Sequence, residues 1–266
     1  MSEETALHVK REDAVCTLVI DNPEKHNTLT LECLIKMAET FERLARDEEV
    51  RTVVIRGAGE KAFSAGFDIA AFTSRNDADL QSRQEKTHPF DKAMQSIGKY
   101  PYPIIAMLNG FAYGGGFELA LTCDIRIAAT HVKMGMPPAK VGLVYRYDGF
   151  KRFITVLGYT RTLELFLTAR SYDSAKCLEM GIVNHVVPGD ELESFAYDLA
   201  HEMTQLAPLS LRHSKYILNK ICEYPAISKE DLDKFDSLQM QAFMSDDHEE
   251  GKRAFIEKRK PQFKGR

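Results

Sequence analysis

One acidic residue stands where a helix is about to become buried. Glu118 follows the glycine triplet Gly114–Gly116 and precedes the apolar run Leu119–Leu121. A helix that begins at such glycines leaves its first N–H groups unpaired, and residues that lack a Cβ let a ligand oxygen approach them closely. Glu118 therefore places a carboxylate beside a candidate anion site. The alternative is an acid that only complements the helix dipole, which is worth ~0.3–1 kcal/mol.

A second glycine turn lies upstream, in the segment KAFSAGFDIAAF at 61–72. An apolar run there turns at Ser64, Ala65 and Gly66 before helix-compatible residues resume. Two turns of this kind, each between a strand and a helix, would aim two backbone amides at one point. Each turn taken alone is more often a tight loop, so only their combination indicates a site.

The elements that must position these turns alternate between strand and helix patterns. Apolar residues recur at helical spacing from Leu31 to Leu44, between two β-branched runs, which predicts a β-α-β unit. The core is predicted to be α/β with largely parallel strands, at 14–20, 53–55, 104–108, 125–128 and 182–187. Beyond Pro188 we predict helices at 190–206, 209–222, 229–244 and 247–258, with breaks at Pro208, Pro225 and Asp246–Asp247.

Composition narrows the classes of partner. The chain has 266 residues, 44% of them hydrophobic, and a formal net charge of −4, which favours a globular protein that binds small molecules and argues against a general nucleic-acid binder. Five scattered cysteines without a CxxC pair indicate reduced thiols, and eight histidines without ligand spacing indicate no metal site. The N-terminus has no signal-peptide pattern and no apolar run approaches ~20 residues, so we expect a cytoplasmic protein that makes no membrane contact.

Five segments in the same order resemble the crotonase superfamily, also called the enoyl-CoA hydratase/isomerase family. They are KHNTLT at 25–30, FSAGFDI at 63–69, PIIAMLNGFAYGGGFELALTCDIRIAA at 103–129, GIVNHVV at 181–187 and EEGKRAFIEKRKPQF at 249–263. The resemblance implies a spiral of ββα turns over residues 1–200 that holds an acyl-CoA site, and a helical trimerisation region over 201–266. It also implies a homotrimer or a dimer of trimers. Coenzyme A would then be part of the substrate, with no separate cofactor.

The same resemblance assigns roles to individual residues. The backbone amides of Phe67 and Gly115 would form an oxyanion hole, in which preorganised N–H donors stabilise the charge that develops on a thioester oxygen. Phe67 would also narrow the pocket, unless it is only a core aromatic. Residues implied to bind substrate or CoA are Lys25, Asn27, Ala65, Asp68, Ile69, Gly114 and Lys258. For Lys258 the alternative is a solvated basic helix end.

A missing carboxylate bears on the reaction. Hydratases of this superfamily use a second glutamate in a stretch that resembles FGxPE, and the corresponding segment MGMPPAK has Pro138 at that position. Because a proline side chain cannot carry a proton, two-carboxylate hydration is hard to write here. Glu118 alone would still serve a double-bond isomerase. A catalytically silent protein that binds CoA or RNA is the alternative of another class.

The segment KVGLVYRYDGF at 140–150 resembles methylmalonyl-CoA decarboxylase-like members of the superfamily. This makes a decarboxylase of a malonyl- or methylmalonyl-type CoA the leading hypothesis. Tyr145 would then hydrogen-bond the departing carboxylate or protonate the carbanion, unless it only packs in the core. Arg146 is a candidate partner for a substrate carboxylate and Asp148 an alternative acid or base, although solvated loop residues are the commoner outcome.

Overall fold

A computed structural model describes residues 6–67, 88–222 and 229–262. Ten strands alternate with helices over the first two thirds of the chain. The strands are β1 (Ala6–Glu12), β2 (Val15–Asp21), β3 (Thr52–Gly57), β4 (Ala62–Ser64), β5 (Ile104–Leu108), β6 (Phe111–Tyr113), β7 (Ile125–Ala129), β8 (Lys133–Gly135), β9 (Ser171–Asp173) and β10 (His185–Val187).

Ten α-helices lie within the described residues. They are α1 (Leu31–Leu44), α2 (Pro89–Gly98), α3 (Gly115–Thr122), α4 (Tyr147–Leu157), α5 (Tyr159–Thr168), α6 (Ser174–Glu179), α7 (Leu192–Thr204), α8 (Pro208–Cys222), α9 (Lys229–Phe243) and α10 (Asp246–Ile256). Short 3₁₀ turns at Pro23–Lys25 and Pro138–Val141 flank the region described below as the site. None of the helices in the described part of the chain is both long and apolar enough to span a bilayer.

The described strands form two sheets, and from β3 to β8 each successive strand lies in the other sheet. The six-stranded sheet has the order β1-β2-β3-β5-β7-β10, and the four-stranded sheet has the order β4-β6-β8-β9. Pairing is parallel except between β1 and β2 and between β8 and β9. The predicted α/β class and the parallel β2-α1-β3 unit are confirmed. The alternation between sheets is the pattern expected of a ββα spiral.

One predicted strand is too long, while the breaks predicted between the C-terminal helices are shifted by only one or two residues. The strand predicted at 182–187 covers only His185–Val187, because Ile182 and Val183 hydrogen-bond back to Cys177 at the end of α6. The break predicted at Pro208 lies between α7 and α8, with Pro208 as the first residue of α8, a position where its missing N–H costs nothing. Asp246 and Asp247 likewise lie in the first turn of α10, whose N-cap is Ser245. The break predicted at Pro225 lies outside the described residues.

The helices cover the larger sheet and bury a single apolar core. α1 buries Leu34, Met37 and Phe41 fully, in part against α2, while β5 is buried at every position. At the other end of the chain, α10 packs on the 3₁₀ turn at Pro138–Val141, where Gly251 approaches the Val141 backbone. The C-terminal helix α10 therefore reaches back to the core at the Pro138–Val141 turn. The division into regions 1–200 and 201–266 stays a prediction.

Candidate active site

The glycine turn at Ser64–Gly66 is hydrogen-bonded to the loop that precedes α1. Ser64 Oγ donates to the Asn27 carbonyl at 2.8 Å and accepts from the Gly66 amide at 3.0 Å, while the Leu29 amide donates to the Gly66 carbonyl at 2.8 Å. The Asn27 side chain is fully buried and donates to the carbonyls of Ala58 and Ala62 at 2.9 and 2.7 Å. These bonds fix the backbone that leads into Phe67.

The two glycine turns lie against each other. They follow β4 and β6, which pair in parallel, so the carboxyl ends of both strands meet at one edge of the smaller sheet. Gly66 has φ +84°, and a Cβ at this position would come within 2.8 Å of the Gly115 nitrogen. Only glycine allows this approach. The two turns are therefore adjacent, while the aim of their amides at one point stays a prediction. The Gly115 amide opens α3, which is buried along its length apart from Thr122.

Glu118 is enclosed one turn further along α3. Its exposed fraction is 1%, and Oε2 accepts a hydrogen bond from the Tyr145 hydroxyl. Tyr145 packs edge-on against Phe150 and Phe153 in front of α4. A Cβ on Gly149 would lie 2.4 Å from Cε1 of Tyr145, so the glycine leaves room for the ring beside the carboxylate.

Burial changes the proton affinity of both partners. It raises the pKa of Glu118 above the usual value for a glutamate, an effect that Arg152 and the Tyr145 hydrogen bond oppose and Asp148 reinforces. It raises the pKa of Tyr145 well above that of a free phenol, and the neighbouring Glu118 charge adds to this shift. Tyr145 therefore keeps its proton at neutral pH, and Glu118 holds a proton more readily than an exposed carboxylate does.

Two arginines flank the carboxylate on different sides. Nη2 of Arg146 lies 3.5 Å from Glu118 Oε2, and Nε of Arg152 lies 3.8 Å from Oε1. Arg146 also forms an ion pair with Asp91 in the first turn of α2, and its guanidinium lies 5.0 Å from the centre of the Phe90 ring. Sequence reasoning found Glu118 and Arg146 but missed Asp91, Phe90 and Arg152.

A cavity of about 150 Å³ lies in front of the two turns. Phe67 and Phe90 pack together there with ring centres 4.9 Å apart, and a Cβ on Gly115 would touch both rings at 3.2–3.4 Å. Pro138, the residue in place of the second glutamate, is a lining residue. The full described lining consists of Ala65, Phe67, His88, Phe90, Gly114, Gly115, Pro137, Pro138, Val141, Leu143, Val144, Tyr145, Arg146 and His248.

One lining residue comes from the C-terminal helices. His248 in α10 is 1% exposed, and its Nδ1 lies 2.8 Å from the Val141 carbonyl. Nothing in the local sequence pattern indicates this residue, because its approach to the cavity depends on how α10 folds back onto the 3₁₀ turn. The cavity thus includes a side chain that lies about 130 positions from Gly115 in the sequence.

The predicted CoA contacts fall at different places. Ala65 and Gly114 line the cavity. Lys25 and Lys258 are exposed, the first in a 3₁₀ turn and the second just beyond α10 with φ +54°. The Asn27 side chain hydrogen-bonds the carbonyls of Ala58 and Ala62. Asp68 and Ile69 lie outside the described residues. These CoA contacts stay predictions, as does the oxyanion hole.

Asp148 does not reach this cavity. It is exposed at the start of α4 and faces a more polar cleft of about 500 Å³ behind Glu118, together with Arg152 and Lys151. Of the two alternatives for Arg146, the solvated loop residue does not hold, because its side chain forms an ion pair with Asp91 and lies over the Phe90 ring. Its contact with a substrate carboxylate stays a prediction.

Comparison with known proteins defines the class. Residues 10–266 match the enoyl-CoA hydratase/isomerase family, and the chain belongs to it. A short-chain-enoyl-CoA hydratase of Clostridium acetobutylicum is 31% identical and covers 97% of each chain. Methylmalonyl-CoA decarboxylase of Escherichia coli is also 31% identical over 94% of this chain and 95% of its own. A crystal structure of a methylmalonyl-CoA decarboxylase complexed with 2S-carboxypropyl CoA superposes with a TM-score of 0.90 at 30% identity over the full length of both chains. The chain is therefore a crotonase-superfamily acyl-CoA enzyme.

Proposed function

We propose that the protein decarboxylates a malonyl- or methylmalonyl-type CoA thioester. The observation that carries this proposal is the site's acid–base inventory: Glu118 bonded to Tyr145, with Pro138 at the place of a second carboxylate. Loss of carbon dioxide needs stabilisation of an enolate and one proton donor, whereas hydration needs a group that activates water and a partner that handles the Cα proton. The described side chains at this cavity match the first requirement and include no second carboxylate for hydration.

The proposed reaction begins with the thioester carbonyl oxygen between the amides of Gly115 and Phe67. The bond between Cα and the free carboxylate breaks, carbon dioxide leaves, and the electron pair moves through Cα to the carbonyl oxygen as an enolate. Two preorganised N–H donors favour that charge over the uncharged ground state, and each donor is worth roughly 10²–10³ in rate. The close contact of Gly66 with the Gly115 amide supports this arrangement, since it brings the two turns together.

The enolate must then be protonated at Cα. Tyr145, which lines the cavity, donates a hydrogen bond from its hydroxyl to Glu118, and burial raises the pKa of both groups. The pair can therefore deliver a proton to carbon and recover one from solvent. No separate cofactor takes part, because the thioester itself provides the electron sink.

A panel of thioesters tests the reaction. Methylmalonyl-, malonyl- and crotonyl-CoA are incubated with the enzyme and followed by mass spectrometry, where loss of about 44 Da reports decarboxylation and gain of about 18 Da reports hydration. We expect the loss with a malonyl-type substrate. Hydration of crotonyl-CoA, or migration of a double bond without any change of mass, would replace the proposal with the hydratase or isomerase reaction. Binding without turnover of any ester would identify a silent CoA-binding protein.

We further propose that the chain assembles as a trimer or as two trimers. The support is α8, which buries none of its residues in the single chain and leaves Tyr216, Ile217 and Ile221 more than half exposed. Several large apolar side chains exposed together on one helix are typical of a protein–protein interface. Light scattering coupled to gel filtration measures the mass, and a value of one chain, or of two, would contradict the proposal.

A further inference from the structure

The cavity beside the two glycine turns is lined mostly by apolar side chains. Among its described lining residues, Arg146 alone carries a permanent charge. His88, His248 and Tyr145 are the other described lining residues with polar side chains. A carboxylate that enters an apolar site without a cation loses its hydration and gains nothing in return, a cost of many kcal/mol. Among the described lining residues, Arg146 is therefore the one that offers a permanent positive charge to a free carboxylate on the acyl group.

The Arg146 guanidinium is held in a fixed orientation. It lies 5.0 Å from the centre of the Phe90 ring, forms an ion pair with Asp91, and approaches Glu118 to 3.5 Å. Its side chain is 23% exposed, so the charge is neither solvated nor fully enclosed. A guanidinium presents five N–H donors in one plane, which lets it bond two carboxylates and still bind a third. Its orientation between Phe90 and Glu118 is set before any ligand arrives.

We propose that Arg146 is a specificity-determining residue that binds the free carboxylate of the acyl group and so selects dicarboxylic acyl-CoA thioesters over uncharged enoyl thioesters. The inference names the substrate class of the proposed decarboxylation. It rests on that proposed function only for which dicarboxylic acyl group is bound. Binding through Arg146 does not itself require turnover.

The contact has a kinetic signature of its own. A guanidinium stabilises a carboxylate in the bound substrate but not the neutral carbon dioxide into which it turns. The contact therefore weakens on the way to the transition state. Replacing Arg146 with an uncharged residue should raise KM, and kcat should hold or increase. A residue that served the chemistry would lower kcat instead.

The decisive experiment compares two inert ligands that differ in one group. 2-Carboxypropyl-CoA and isobutyl-CoA, both thioethers, have the same branched skeleton, with a carboxylate in the first where the second has a methyl group. Calorimetry gives the ratio of their dissociation constants for the wild type and for Arg146→Met, which keeps an unbranched apolar stem. We expect the wild type to prefer the carboxylate and Arg146→Met to lose at least tenfold of that preference.

Arg152→Met is the matched control. It also removes a cation near Glu118, at 3.8 Å, but Arg152 is not among the described lining residues of the cavity. Its ratio of dissociation constants should stay that of the wild type. Equal ratios in the two methionine variants would overturn the inference, as would a wild type that binds both ligands equally. If Arg146→Met does not fold, Arg146→Lys is measured instead. Because lysine retains the charge, this variant should keep most of the preference for the carboxylate, and equal binding of the two ligands would refute the inference.

The same data separate this inference from the proposed function. A wild type that prefers the carboxylate through Arg146 yet releases no carbon dioxide would refute decarboxylation and leave the ligand class standing. If carbon dioxide is released but Arg146→Met keeps the wild-type ratio of dissociation constants, decarboxylation stands and the role of Arg146 is refuted.

Discussion

The Tyr145 hydroxyl donates a hydrogen bond to Oε2 of Glu118, the same oxygen that lies 3.5 Å from Nη2 of Arg146. Oε2 of Glu118 thus contacts both the protonated phenol of Tyr145 and the guanidinium of Arg146, which borders the cavity. The other oxygen faces Arg152 at 3.8 Å, on the side of the second cleft. Glu118 is therefore linked through Tyr145 to the smaller cavity and through Arg152 to the larger polar cleft. Its pKa depends on burial and on Arg152, Tyr145 and Asp148.

Glu118→Gln should lower turnover by about 10²–10⁴-fold, the usual contribution of a general acid or base. The amide keeps the shape of the side chain and accepts the Tyr145 hydrogen bond, but it cannot deliver a proton. Steady-state rates on the best substrate of the panel measure the loss, and circular dichroism checks the fold. Turnover within threefold of wild type would leave Glu118 as a residue that only complements the dipole of α3.

The same substitution should change how stability depends on pH. Because burial raises the pKa of Glu118, the folded state is penalised for ionising it at pH values above the usual range of a glutamate, and the penalty disappears below that range. The melting temperature of Glu118→Gln relative to wild type should therefore rise from pH 5 to pH 8. Calorimetric scans at both values measure this difference, and a difference that falls with pH would mean that the arginines outweigh burial.

Tyr145→Phe should slow decarboxylation by about 10- to 100-fold, the range expected when one hydrogen bond to a charged group is lost. The ring still packs against Phe150 and Phe153, so the affinity for an inert CoA thioether should change little. Rate and affinity are measured on the same preparation. An unchanged rate would remove the hydroxyl from the mechanism.

Phe67→Ala should widen the range of acyl groups. The ring packs on Phe90 at 4.9 Å and borders a cavity of about 150 Å³, which leaves space for a short acyl group only. The backbone amide remains, so turnover of a small substrate should stay within about tenfold while KM falls for longer acyl thioesters. Phe255→Ala, at an aromatic residue that is 60% exposed on α10, is the control. Equal preferences in both variants would show that Phe67 does not limit the pocket.

Gly149→Ala should destabilise the fold by about 1–3 kcal/mol, because the added methyl group would lie 2.4 Å from Cε1 of Tyr145. Gly98→Ala provides a matched control, since a Cβ at that position meets nothing within 4 Å. Urea denaturation gives both free energies of unfolding. Equal effects would mean that the tight contact with Tyr145 is not what requires glycine at position 149.

The sequence predicts the larger sheet better than the smaller one. The bounds of β5 match the prediction at both ends, and those of β2 and β7 agree to within one residue, because these strands are β-branched and buried. The strands of the smaller sheet have three residues each, too few for a periodic pattern, and none was predicted. β1 was also missed, since Leu7 is its one buried residue and an edge strand of this kind reads as polar.

The site divides in a similar way. Glu118 and the two glycine turns stand out by residue type and local order, and the resemblance to a known family points to Tyr145. Asp91, Arg152 and His248 have ordinary neighbours in the chain, and their roles arise only when α2, α4 and α10 pack around α3 and the 3₁₀ turn. Such tertiary contacts leave no local periodicity to read.

A crystal structure of the enzyme with an acyl-CoA analogue that carries a nitronate in place of the enolate would test the central claim most directly. The account predicts that one oxygen of the nitronate lies about 2.7–3.1 Å from the backbone nitrogens of both Gly115 and Phe67. An oxygen that bonds to only one of the two amides, or that points away from the glycine turns, would contradict it.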